Sequence, residues 1–62
     1  MNMAKLHALR KTKGYTQEQM AHKLGYKDKS SYCHIEKGNV KITLELLQKI
    51  CEILEVDIKD IL

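Results

Sequence analysis

The chain contains no proline, no phenylalanine and no tryptophan, and its only aromatic residues are three tyrosines. Without proline no helix interior is obliged to kink or stop. Without the large aromatic side chains, a core has to be assembled from eight Leu and six Ile. The two cysteines, Cys33 and Cys51, are too few for a disulfide-stapled miniprotein and lack the Cys-x-x-Cys spacing of a zinc site. Reduced thiols, no metal and no cofactor are therefore expected. No uninterrupted run of Ala, Val, Ile, Leu, Met, Tyr or Cys exceeds two residues, which excludes a bilayer span and the apolar segment of a signal peptide. The expected location is the cytoplasm. Sixty-two residues predict one domain, residues 1–62, and exclude a two-domain enzyme.

With 44% hydrophobic and 31% charged residues, the chain is too apolar for a disordered tail. The formal net charge of +3 conceals an asymmetry. Residues 1–41 carry nine Lys and Arg against three acids, whereas residues 42–62 carry two against five. Such a division predicts that the first two thirds face a polyanion while the last third does something else.

Capping residues and hydrophobic spacing predict an all-α fold with five helices. The first covers about Asn2 to Lys13, with Met3, Leu6 and Leu9 at helical spacing and Gly14 just beyond it. Thr16 and Gln19 form a capping box at the start of the second, with Tyr15 and Met20 as a hydrophobic staple, and Gly25 stops it after Leu24. Asp28 caps a third helix that ends before Gly38. Its only apolar residues at helical spacing are Tyr32 and Ile35, so the rest of its surface faces outward. Thr43 caps a fourth helix to about Leu54, on which Leu44, Leu47, Ile50, Cys51 and Leu54 line one face. Around Asp57 a short fifth helix is expected to carry Ile58, Ile61 and Leu62.

The second and third helices, joined by a turn containing Gly25, have the pattern of a helix-turn-helix. Ala21 supplies the small residue that close crossing requires, and Met20, Leu24, Tyr32 and Ile35 hold the third helix at its angle. The ordered set Leu9-Arg10, Gly14-Tyr15-Thr16-Gln17, Met20-Ala21, Leu24-Gly25, Ile35-Glu36-Lys37-Gly38, Leu47, Ile50, Leu54, Val56 and Ile61-Leu62 resembles the Cro and phage-repressor family, also called the xenobiotic-response-element family. That resemblance extends from about Leu6 to Leu62 and implies a five-helix, lambda-repressor-like domain. One residue more than the phage-repressor pattern separates Gly25 from Ile35, which assigns the extra residue to the turn at Tyr26 to Asp28.

The resemblance also implies roles. Gln17 would bond a phosphate of double-stranded DNA, and Lys37, Asn39 and Lys41 would clamp the backbone. Lys29, Ser30, Cys33 and His34 would meet base edges in the major groove. Arg10 and Glu36 would form a partly buried ion pair between the first and third helices. Such proteins act as dimers on pseudo-palindromic operators, and the candidate dimer contact is Ile58, Ile61 and Leu62 in the acidic third of the chain.

The residues leave other readings open. Lys11 and Lys13 either complement the C-terminal end of the first helix or contact phosphate. His7 and His22 are read as solvated, and the adjacent Cys33 and His34 point about 100° apart on a helix, a poor chelate. No catalytic constellation is present, so no enzyme is expected. A regulator or antitoxin-type module whose acidic C-terminal third binds a partner protein is the competing expectation to a DNA-binding regulator.

Overall fold

The computed structural model describes residues 1–62 as four helices and one 3-10 turn, with no strand. Helix α1 covers Met3–Thr12, α2 Gln17–Lys23, α3 Lys29–Glu36 and α4 Leu44–Leu54. Each α-helix begins where a short polar side chain can replace a missing intrahelical acceptor. Asn2 accepts from Lys5 N, Thr16 from Gln19 N, Asp28 from Ser30 N and Thr43 from Leu46 N. The capping box at α2 is complete, because Gln19 Oε1 also accepts from Thr16 N at 2.9 Å.

The core is small and wholly aliphatic apart from one ring. Leu6 from α1, Met20 and Ala21 from α2, Tyr32 and Ile35 from α3 and Leu47, Ile50, Cys51 and Leu54 from α4 are buried together with Ile61. Ala21 is fully buried on α2, the helix that packs most extensively on α3. Tyr32 and Ile35 are the only fully buried residues of α3, so the helix is anchored along one edge, with Lys29, Ser30 and His34 exposed. Cys51 serves as a core hydrophobe, and burial, with Asp60 and Asp57 adding to it, pushes its thiol pKa up. A thiol so placed stays protonated.

Three expectations are corrected. The fifth helix is a single 3-10 turn at Ile58–Asp60, closed by i→i+3 bonds from Asp60 N to Asp57 O and from Ile61 N to Ile58 O. This tighter turn swings Ile61 inward, and its carbonyl accepts from Asn2 N at 2.7 Å, joining the two ends of the chain. Ile61 is consequently 0% exposed and is a core residue, unavailable as a dimer contact; Ile58 is half-buried and Leu62 is 59% exposed. Leu44 does not continue the apolar face of α4 and is 66% exposed, because at the first position of the helix no other element reaches across it.

Helix α4 ends without glycine. Glu55 takes the left-handed conformation itself, at φ 57°, in the role that Gly25 plays after α2 at φ 92°. A side chain there is strained by about 1–2 kcal/mol, so this junction is held by what flanks it: the Val56 N to Cys51 O bond on one side and the buried Ile61 beyond.

The placement of Ile61 is tested by thermal or chemical unfolding. Ile61→Ala is expected to lower stability by about 2–5 kcal/mol through the cavity it leaves, while Leu62→Ala changes it by less than about 0.5 kcal/mol. Equal effects of the two substitutions would show that Ile61 is not enclosed.

Candidate nucleic-acid interface

The site is built outward from one buried ion pair. Arg10, the only charged residue in the core, comes from the third turn of α1, and Glu36 is the last residue of α3. Arg10 Nε donates to Glu36 Oε2 at 2.6 Å, and both side chains are 6% exposed. A guanidinium has donors to spare, and Arg10 Nη1 uses one on the carbonyl of Tyr15 at 2.6 Å, in the loop that leads into α2. One side chain thus ties α1, the α2 entrance and the end of α3.

Glu36 Oε1 gathers the remaining partners. His7 Nδ1 lies 2.8 Å from it, and Gln17 Nε2 and Arg10 Nη2 both donate to it at 3.5 Å. Burial opposes ionisation of Glu36, yet the hydrogen bond and charge of Arg10, the nearby Tyr32 hydroxyl and the hydrogen bond of His7 outweigh it and hold the carboxyl below its ordinary pKa. Tyr32 turns its hydroxyl toward the same pair without reaching normal hydrogen-bond geometry. Burial and the nearby Glu36 carboxylate raise its pKa well above the usual tyrosine value, so the phenol stays protonated.

Above this layer stands the exposed face of α3. Lys29, Ser30 and His34 are exposed and Cys33 is half-buried. Ser30 has a second commitment: its hydroxyl donates to Asp28 Oδ1, the carboxylate that also caps the helix. Those bonds, from the Ser30 hydroxyl first and then from its backbone, lower the pKa of Asp28. Lys37, the C-cap, and Asn39 and Lys41 in the following loop are exposed, and Asn39 N bonds back to the His34 carbonyl at 3.0 Å.

Gln17 and Lys29 are brought to one groove, which they share with His7 and Lys11 and which has no hydrophobic lining. Lys37, Asn39 and Lys41 lie beyond the other end of α3 and do not line it. Lys11 therefore has a place on this face, whereas Lys13 is the C-cap of α1 and does not line the groove. No group of His, Cys, Asp and Glu side chains has the arrangement of a metal site.

The family model for helix-turn-helix proteins of the Cro/C1 type matches residues 6–61. The chain belongs to this helix-turn-helix family. This is a family of DNA-binding regulatory domains and not a family of enzymes. No curated protein and no solved structure matches the chain. No helix is long and apolar enough to cross a membrane.

His7 is exposed, as the sequence predicts, but its part in this layer was missed. It is bonded to Glu36 from 29 positions away. The available signal was its position three residues before Arg10, which puts the two side chains on one face of α1.

Glu36→Ala leaves the Arg10 guanidinium buried without its carboxylate, and should destabilise the protein by about 3–5 kcal/mol. Because the folded-state pKa of Glu36 is lowered, its contribution is complete above the ordinary glutamate range and is lost as the pH falls through the lowered value. Parent stability is thus expected to drop on acidification in a step that Glu36→Ala lacks. A melt of Glu36→Ala that overlays the parent at neutral pH would refute this role.

Proposed function

We propose that this helix-turn-helix protein is a sequence-specific transcriptional repressor that lays α3 in the major groove of its operator. The observation that carries this reading is the division of α3 into two surfaces. Tyr32 and Ile35 are locked into the core, while Lys29 and His34 are exposed and Cys33 is half-buried on a helix whose end is pinned by the Arg10–Glu36 pair. A rigidly held helix presenting donors and an apolar contact is what major-groove readout requires. Lysine or histidine donates to guanine, and the cysteine meets a thymine methyl. Ser30, engaged by Asp28, is a weaker reader than Lys29 and His34.

Backbone contacts fall to Gln17 at the start of α2, whose side-chain amide also reaches Glu36, and to Lys37, Asn39 and Lys41, which follow the end of α3. These residues would hold the helix to the phosphate backbone beside its reading face. The Cα envelope is 28 × 25 × 18 Å, shorter than the roughly 34 Å turn that separates two half-sites. One chain therefore suits one half-site, and a pseudo-palindromic operator calls for a homodimer. With Ile61 enclosed in the core, Ile58 and the exposed Leu62 are what the acidic third offers to that contact.

Binding to an operator selected from a random duplex pool tests this reading. If Lys37, Lys41 and one or two other lysines neutralise three or four phosphates per chain, the log–log salt slope is about −3 per chain. Lys29→Ala and His34→Ala should weaken operator binding by about 1–3 kcal/mol each and relax the preference at particular base pairs. A flat salt response would remove the DNA assignment. Equal losses on operator and random duplex would move both residues from bases to phosphates.

A further inference from the structure

The fixed geometry of His7 gives it a direction. Its Nδ1 lies 2.8 Å from Glu36 Oε1, and an ionised carboxylate only accepts hydrogen bonds. The hydrogen therefore sits on Nδ1, an assignment made from the partner rather than from the ring itself. With Nδ1 donating to Glu36, Arg10 Nη2, 3.3 Å from the same nitrogen, meets a hydrogen instead of a lone pair and makes no bond to it. Nε2 is the ring nitrogen left free. Half of the side chain is exposed, on the wall of the hydrophilic groove.

The charged and polar groups around the imidazole come from three elements. Helix α1 contributes Arg10 and Lys11, α2 contributes Gln17 and Glu18, and α3 contributes Lys29 and Glu36. Arg10 and Glu36 neutralise one another at 2.6 Å. Lys11 and Lys29 then face the single carboxylate of Glu18, which leaves one positive charge of the groove uncompensated.

We propose that His7 is a phosphate ligand of this face: oriented by Glu36 through Nδ1–H, it takes up a proton on Nε2 and donates that hydrogen to a phosphate oxygen of the duplex, beside Lys11, Gln17 and Lys29. The neutral ring turns a lone pair toward the phosphate, which repels it. Protonation converts the same atom into a donor and adds a positive charge, so binding consumes one proton from solvent and breaks no other bond. Histidine is the side chain whose charge changes near physiological pH, and DNA affinity is thereby coupled to pH through a residue outside the reading helix. This inference rests on the DNA-binding reading above.

The test measures affinity for a random-sequence duplex by fluorescence anisotropy from about pH 8 to about pH 5.5, for the parent, His7→Gln and His7→Lys. His22 and His34 are present in all three proteins, so the comparison isolates His7. On acidification the parent is expected to tighten about tenfold more than His7→Gln. Its salt slope should steepen by about 0.9, the share of one phosphate, while the slope of His7→Gln stays constant. His7→Lys keeps a cation at every pH and should lack that additional pH response. Equal pH responses of the parent and His7→Gln would overturn the proposal while leaving DNA binding intact. If the parent retains no duplex at any pH, the DNA reading falls and this inference with it. Should His7→Gln fail to fold, His7→Lys decides alone: loss of the parent's additional pH response supports the role of His7, and its persistence refutes it.

Discussion

Arg10 and Glu36 form the constraint on which the arrangement of this domain depends, because no other polar contact joins three of its parts at once. Taking a guanidinium and a carboxylate out of water is unfavourable by several kcal/mol per ion, and their attraction offsets this only when the remaining donors and lone pairs are also satisfied. Here they are. Arg10 reaches the Tyr15 carbonyl as well as Glu36, and Glu36 receives His7 and Gln17 as well as Arg10. An aliphatic pair of similar volume could fill the same space. It would leave the angle of α3 to apolar packing alone, without the directional bonds that fix the end of the helix against α1 and the α2 entrance.

Directionality matters because the two helices that carry the site are too short to be stable alone. Helix α2 has seven residues and α3 has eight, well below the length at which an isolated helix persists in water. Caps at Thr16 and Asp28 satisfy the first orphan N–H groups, and Met20, Ala21, Tyr32 and Ile35 supply the burial. These terms make the helices form. Burial of Tyr32 and Ile35 decides which side of α3 is turned to solvent, and the ion pair holds its end in place.

The same layer links stability to function. Gln17, His7 and Glu36 meet at one carboxylate oxygen, and Gln17 and His7 also line the outer groove. A change in the protonation or position of either is therefore felt by the bond network that orients α3. Fold and candidate interface share side chains, and a substitution at this layer acts on both.

Much of this was legible in the residues themselves. Thr16 with Gln19, Asp28 and Thr43 each mark a helix start, because capping is a local matter of a short polar side chain and an N–H two or three residues away. The spacing of Tyr32 and Ile35 and the stripe Leu47, Ile50, Cys51 and Leu54 predicted their burial, because helical periodicity places them on one face. The charge division was likewise visible by counting. What the tertiary structure alone decided depends on distances between residues far apart in the chain. Leu44 follows the stripe of α4 but has nothing packed across it, and Ile61 has the pattern of an exposed helical edge until a 3-10 turn draws it under the Asn2 amide. His7 was indistinguishable from a solvated histidine, since its partner is 29 residues away. Periodicity and capping are written in neighbouring residues; which long-range partner completes a face is settled only when the helices meet.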